Sequence, residues 1–154
     1  MNSFQLKIIA CILMAIDHVG AIMFPDIDLY RIIGRLSFPI FAFLLTEGYV
    51  HTRNLKKYFI RLFIFAIIPQ IPYSLAFGID ILNIFFTLFF GMLAILVDDK
   101  INNVYKKWGL ILGIVVISEL LHMDYGYYGI IMIFLFKKYK DNWKNLVITL
   151  ILLN

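Results

Sequence analysis

Long apolar runs separated by short polar stretches recur along the whole of this chain, and they leave it few ways to fold. A helix rises about 1.5 Å per residue, so about 20 mostly apolar residues cross the hydrocarbon core of a bilayer. Runs of that order extend from Leu6 to Phe24, Leu36 to Val50, Tyr58 to Phe77, Ile84 to Val97, Trp108 to Leu121 and Tyr127 to Phe136, with a half-length run from Asn145 to Asn154. The shorter ones must tilt little, thin the bilayer or extend into flanking polar residues. A soluble fold would lack polar surface: 62% of the 154 residues are hydrophobic, against roughly 45–50% in soluble domains. The expectation is an all-α, polytopic transmembrane helical bundle of about six full spans and a partial seventh, forming a single domain over residues 1–154.

Basic residues stay preferentially on the cytoplasmic side near span ends. With the N-terminus inside, Lys7, Arg53, Lys56, Lys57, Arg61, Lys100, Lys106, Lys107, Lys137, Lys138, Lys140 and Lys144 all fall inside, 12 of the 14 Lys and Arg. Arg31 and Arg35 fall outside, together with Asp26, Asp28, Asp80, Glu119 and Asp124. The net charge of +4 is therefore a topology signal, and no nucleic-acid partner is needed to explain it. The opening segment resembles a signal peptide in hydropathy, but Asp17 and His18 interrupt it and no small-residue cleavage site follows, so retention as a span is expected. The one cysteine, Cys11, excludes an intramolecular disulfide, and no spacing suggests a zinc or haem site, so no metal is expected.

The informative residues are the ionisable ones within the spans. A charge near the bilayer centre costs roughly 2.5–3.5 kcal/mol on insertion scales, so such groups usually face the bundle interior. Asp17 and His18 fall in the outer half of the first span, Arg35 opens the second, Glu47 and His51 lie toward its inner end, and Glu119 and His122 close the fifth. Glu47 and His51 are four apart and share a helix face, as do Arg31 and Arg35. Asp17 and His18 are adjacent and point about 100° apart, so a partner for His18 must come from another span. Pro69 and Pro72 bracket Gln70 in the third span, and each removes a helix hydrogen bond. A kink there faces either a polar cavity or simple packing, since non-helical backbone at membrane depth must be satisfied by protein or water.

The string LKIIACILMAIDHVGAIMF, then RIIGRLSFPIFAFLLTEGYVHTRNLKKYFIRL, then IPQIPYSL, NIFFTL and DYGYYGI resembles the TraX family of conjugal-transfer membrane proteins. The most specific block runs from Gly34 to Arg61, with GR, FPIF, EGY and HTRN in order. Family members generally continue with further spans, so the chain is expected to be C-terminally short relative to them.

The resemblance implies a bacterial cytoplasmic-membrane acetyltransferase that moves an acetyl group from acetyl-CoA to an amino group of a peptide or pilin-like acceptor. That chemistry asks for a base, oxyanion stabilisation and cations for the coenzyme A phosphates. His18, deepest of the histidines and beside Asp17, is the expected base, with Glu47 or His51 as alternatives. His51, Arg53, Lys56 and Lys57 are the expected cofactor contacts at the inner mouth, and Arg35 holds an anionic substrate group or neutralises Asp17. The basic cluster is also what topology alone requires, and Glu47 with His51 also reads as a structural pair. Two other classes remain open at this level. A small proton-coupled carrier would use the same polar positions and a broken helix, whereas a non-catalytic membrane partner protein would need none of them.

Overall fold

The computed structural model describes residues 2–77, 81–140, 142 and 144–148 and is helical throughout, with no strand among those residues. The expected outer acid Asp80, and the half-length last run from Thr149 onward, lie outside the described residues. The helices are α1 (Ser3–Met23), α2 (Asp28–Gly34), α3 (Ser37–His51), α4 (Leu55–Ile67), α5 (Gln70–Phe77), α6 (Ile84–Lys100), α7 (Val104–Leu120) and α8 (Gly126–Lys138).

Asparagine starts half of these helices. The side-chain oxygens of Asn2, Asn54, Asn83 and Asn103 accept the backbone N–H of Gln5, Lys57, Phe85 and Lys106 at 2.9–3.0 Å, filling donors that the first turn leaves orphaned. At α1 the Gln5 side chain returns the bond to the Asn2 N–H at 3.0 Å, completing a capping box.

Among the described residues, three stretches are long and apolar enough to cross a membrane: Ser3–Met23, Asp28–His51 through a short turn after α2, and Leu55–Phe77 through a turn after α4. The later runs correspond to shorter helices. α6 and α7 have 17 residues each and α8 has 13, about 25 and 20 Å of rise. Polarity is distributed as lipid demands. Ile8, Ile12, Ile22, Phe65, Ile71, Leu112 and Leu120 are exposed, while Ser37, Thr46, Asn83, Thr87 and Ser118 are buried. In a bilayer, polar atoms must find partners inside the protein, and apolar side chains lose nothing by facing out.

The chain divides into two compact units, Met1–Leu44 and Leu45–Asn154. In the first, α1 packs on α2 through two glycines: Gly20 receives the Tyr30 side chain, and Gly34 lies directly against the Cβ and backbone of Asp17. Phe24 stacks on Tyr30 with ring centroids 5.3 Å apart. In the second, α6 is the core element, packed by α4, α7 and α8. Leu88, Met92, Ile95, Ile130 and Ile133 are buried there, and Ile133 of α8 fills the space left by the missing side chain of Gly91. The lower half of α3 belongs to this unit, and the Tyr58 hydroxyl donates to the Leu45 carbonyl at 3.4 Å.

The third span is broken, not merely kinked. α4 stops at Ile67, Ile68 and Pro69 form a turn, and α5 restarts at Gln70. Two side-chain amides satisfy the break. Asn83 Nδ2 donates to the Ala66 carbonyl at 2.8 Å and to Gln70 Oε1 at 2.9 Å, Gln70 Oε1 also accepts from the Asn83 N–H, and Gln70 Nε2 donates to Ser74 Oγ and the Ile81 carbonyl. With Asn83 2% exposed, this is protein filling the gap in the helix ladder.

The turn between α7 and α8 is held as tightly. Leu82 and Met123 form an isolated parallel bridge, and Thr87 donates its hydroxyl to the Asp124 carbonyl. His122, Tyr125 and Gly126 take φ of +47°, +65° and +37°, left-handed values costly for the two residues with side chains. Glu119 Oε1 accepts the Tyr127 N–H at 2.7 Å, capping α8 from the end of α7.

Candidate functional site

In the first unit, Asp17 points at α2. Its Oδ2 receives the guanidinium of Arg31 at 2.9 Å, with the carboxylate side chain 17% exposed, and its Oδ1 is buried without a hydrogen-bond partner. The neutralising cation is thus Arg31, one turn before the expected Arg35. The bare backbone of Gly34 allows this closeness, because a Cβ there would occupy the position of Asp17 itself. Arg31 and Arg35, four apart, line an open hollow of about 530 Å³ with Ala21, Pro25, Asp28 and Ile32. Arg31 therefore links the hollow to Asp17, and His18 follows Asp17 on α1.

In the second unit, Glu47 and His51 meet as their spacing predicts. His51 Nδ1 lies 2.9 Å from the Glu47 carbonyl oxygen and 3.5 Å from its carboxylate. Glu47 has a stronger partner that spacing did not disclose: Lys140 Nζ, beyond α8, lies 2.7 Å from Oε1. Neighbouring carboxylates are matched likewise. The Tyr49 hydroxyl donates to Asp99 at 2.9 Å, Lys137 reaches Asp99 at 3.1 Å and Lys107 reaches Asp98 at 2.8 Å. These bonds tie α3, α6, α7 and α8 together at one end of the unit.

The expected cofactor cations divide. Arg53 and Lys57 line a hollow of about 390 Å³ with Thr52, Asn54, Ile60 and Arg61, at the start of α4. His51 and Lys56 are not on its wall. Sequence spacing does not disclose Asp17 as the partner of Arg31 or Glu47 as that of Lys140, and it counts Arg61 in the inner basic cluster without making it an expected cofactor contact. Arg61 carried a readable signal, four residues after Lys57 on one helix face. Arg31 and Lys140 carried none, because their partners are far away in the chain.

A helical polytopic membrane protein with an ion pair on a spanning helix and an open cationic hollow at a helix start is the class that fold and site define. The chain belongs to the TraX family, whose description, TraX protein, matches residues 3–154. It is similar to a probable fimbrial assembly protein, FimC of serogroup H1, from Dichelobacter nodosus, at 34% identity over 84% of this chain and 59% of that protein. An uncharacterized protein of Rickettsia prowazekii is 38% identical over 47% of this chain and 27% of its own length. The chain thus spans less than two thirds of the length of either relative. No solved structure matches it at a significant level.

Proposed function

We propose that this chain is an acetyltransferase of the bacterial cytoplasmic membrane, with its N-terminus in the cytoplasm, that transfers an acetyl group from acetyl-CoA to an amino group of a peptide or pilin-like acceptor. The observation that carries the reading is the hollow where Arg53 and Lys57 converge at the start of α4, the kind of cationic site that coenzyme A phosphates require. Family membership and the fimbrial assembly name of the Dichelobacter relative support a pilin-like acceptor. The distribution of Lys and Arg supports the orientation.

The chemistry assigns the remaining roles. The lone pair of a neutral amine attacks the thioester carbonyl, the C–N bond forms, the C–S bond breaks, and the proton lost from nitrogen passes through a base to the departing thiolate. His18 is that base, Asp17 orients it, and Glu47 or His51 takes its place if His18 fails. Arg35, on the wall of the second hollow, holds an anionic group of the acceptor.

The buried, partnerless Oδ1 of Asp17 also suits the alternative, a proton-coupled carrier. Vesicles containing the protein, given acetyl-CoA labelled in its acetyl group and a synthetic peptide with a free N-terminus, separate the two. Label on the peptide is the expected result, and a peptide that stays unlabelled while solute flux responds to a pH gradient overturns it.

A further inference from the structure

We infer that the hollow at the start of α4 is a binding site for a phosphate-bearing anion gripped by Arg53, Lys57 and Arg61, with Lys56 left outside. The choice of coenzyme A as ligand rests on the acetyltransferase reading, whereas the set of cations rests on geometry.

Lys57 and Arg61 are one turn apart on α4, Ile60 lies between them on the same wall, and Arg53 precedes the cap residue Asn54. Lys56 is turned about 100° from Lys57 around the helix axis and does not line the hollow. Topology alone asks for basic residues near this end of a span, without preferring one side of it, so three cations on one hollow, Lys57 and Arg61 from one face of α4 and Arg53 from the stretch before it, need a further reason.

Charge compensation supplies one. Elsewhere in this unit Lys107, Lys137 and Lys140 each close on a carboxylate within 3.1 Å. Arg53, Lys57 and Arg61 form no ion pair with a carboxylate among the described residues, and of the cations left so in this unit, Lys56, Lys100 and Lys106 among them, these three share the hollow. Their charge converges on a concave surface and is left for a ligand.

The hollow offers more than charge. Asn54 uses its Oδ1 to cap α4 through the Lys57 N–H, which leaves its amide nitrogen as a donor, and Thr52 adds a hydroxyl to the wall. The N-terminal end of α4 contributes a positive dipole. Two planar guanidiniums grip phosphate oxygens in pairs and a lysine acts as a point charge, so a diphosphate, with oxygens on two phosphorus atoms, uses all three better than one phosphate. A coenzyme A diphosphate and a lipid headgroup phosphate share this chemistry.

The test uses the full chain in phosphatidylcholine nanodiscs, with equilibrium binding of coenzyme A and of pyrophosphate measured for wild type, Lys56→Gln, Arg61→Gln and Arg61→Lys. The expectation is that Arg61→Gln weakens both ligands roughly tenfold, the loss of one charge-assisted contact. Arg61→Lys should retain part of the affinity, and Lys56→Gln should match wild type. Retained affinity in Arg61→Lys shows that the site is folded and that charge is what Arg61→Gln removed. Pyrophosphate bound with this pattern while coenzyme A is not keeps the site and removes the acetyl-CoA reading. Coenzyme A bound equally by wild type and Arg61→Gln, or weakened by Lys56→Gln instead, overturns the inference and leaves that reading standing. No binding of either ligand overturns both. Adding phosphatidylglycerol to the nanodiscs identifies the source: competition that disappears in Arg61→Gln makes the occupant a lipid headgroup, and its absence makes it soluble.

Discussion

Arg31 on α2 holds Asp17 on α1 at 2.9 Å, and the contact forms only because Gly34 brings its bare backbone against the aspartate. Both partners keep some exposure, so the pair is worth less than a fully buried one, yet either charge left alone against lipid is costly. Arg31→Leu and Asp17→Leu should therefore each destabilise the protein more than the double replacement does. A coupling energy of roughly 0.5–3 kcal/mol is expected in a double-mutant cycle, read by reversible unfolding in mixed micelles. Additive effects would show that the pair is not formed in the membrane.

Gly34→Ala tests the same packing from the other side. A methyl group there has no room beside Asp17, so α1 and α2 must separate, at a cost of about 1–3 kcal/mol. Gly109→Ala on α7, where a Cβ meets nothing within 4 Å, should leave stability unchanged or raise it slightly. Equal effects at the two sites would contradict the packing described.

Asn83→Ala removes the donor that satisfies the Ala66 carbonyl at the α4–α5 break and the acceptor that caps the Phe85 N–H, while the backbone N–H at position 83 still reaches Gln70 Oε1. An orphaned buried polar group costs about 1–3 kcal/mol, and two groups are orphaned here. Ser74→Ala, which removes one acceptor from Gln70 Nε2 while Ile81 keeps the other, should cost distinctly less. Thermal unfolding in detergent of the two variants gives the ranking.

His18→Ala should abolish acetyl transfer while leaving membrane insertion and thermal stability near wild type, and Asp17→Asn should lower turnover less severely through lost orientation. Activity retained in His18→Ala would move the base to Glu47 or His51. For Glu47 a complication is visible in advance: Lys140 holds its carboxylate at 2.7 Å, so Glu47→Gln also loosens the end of α3.

Orientation is open to direct chemical test. In a Cys11→Ser background, a cysteine replacing Lys56 or Lys106 should resist impermeant thiol reagents in intact cells, whereas one replacing Asp28 should label. The reverse pattern would invert every sided assignment that rests on the distribution of Lys and Arg.

Composition and the spacing of apolar runs were enough to establish a helical membrane protein, because lipid offers the backbone no hydrogen-bond partner and only closed hydrogen-bonding patterns survive there. Local spacing also determined the pairing of Glu47 with His51 and the family motifs from Gly34 to Arg61. The asparagine caps were equally local and readable, although hydropathy passes over them. Only the tertiary structure decided that Arg31 and not Arg35 meets Asp17, that Lys140 meets Glu47, and that Asn83 fills the proline-broken ladder beside Gln70. Each of those contacts joins residues distant in the chain, and their meeting depends on how far one helix is rotated and shifted against another. Close-packed side chains such as Tyr30 on Gly20 and Ile133 on Gly91 set that rotation and shift, and no periodicity within a single helix encodes it.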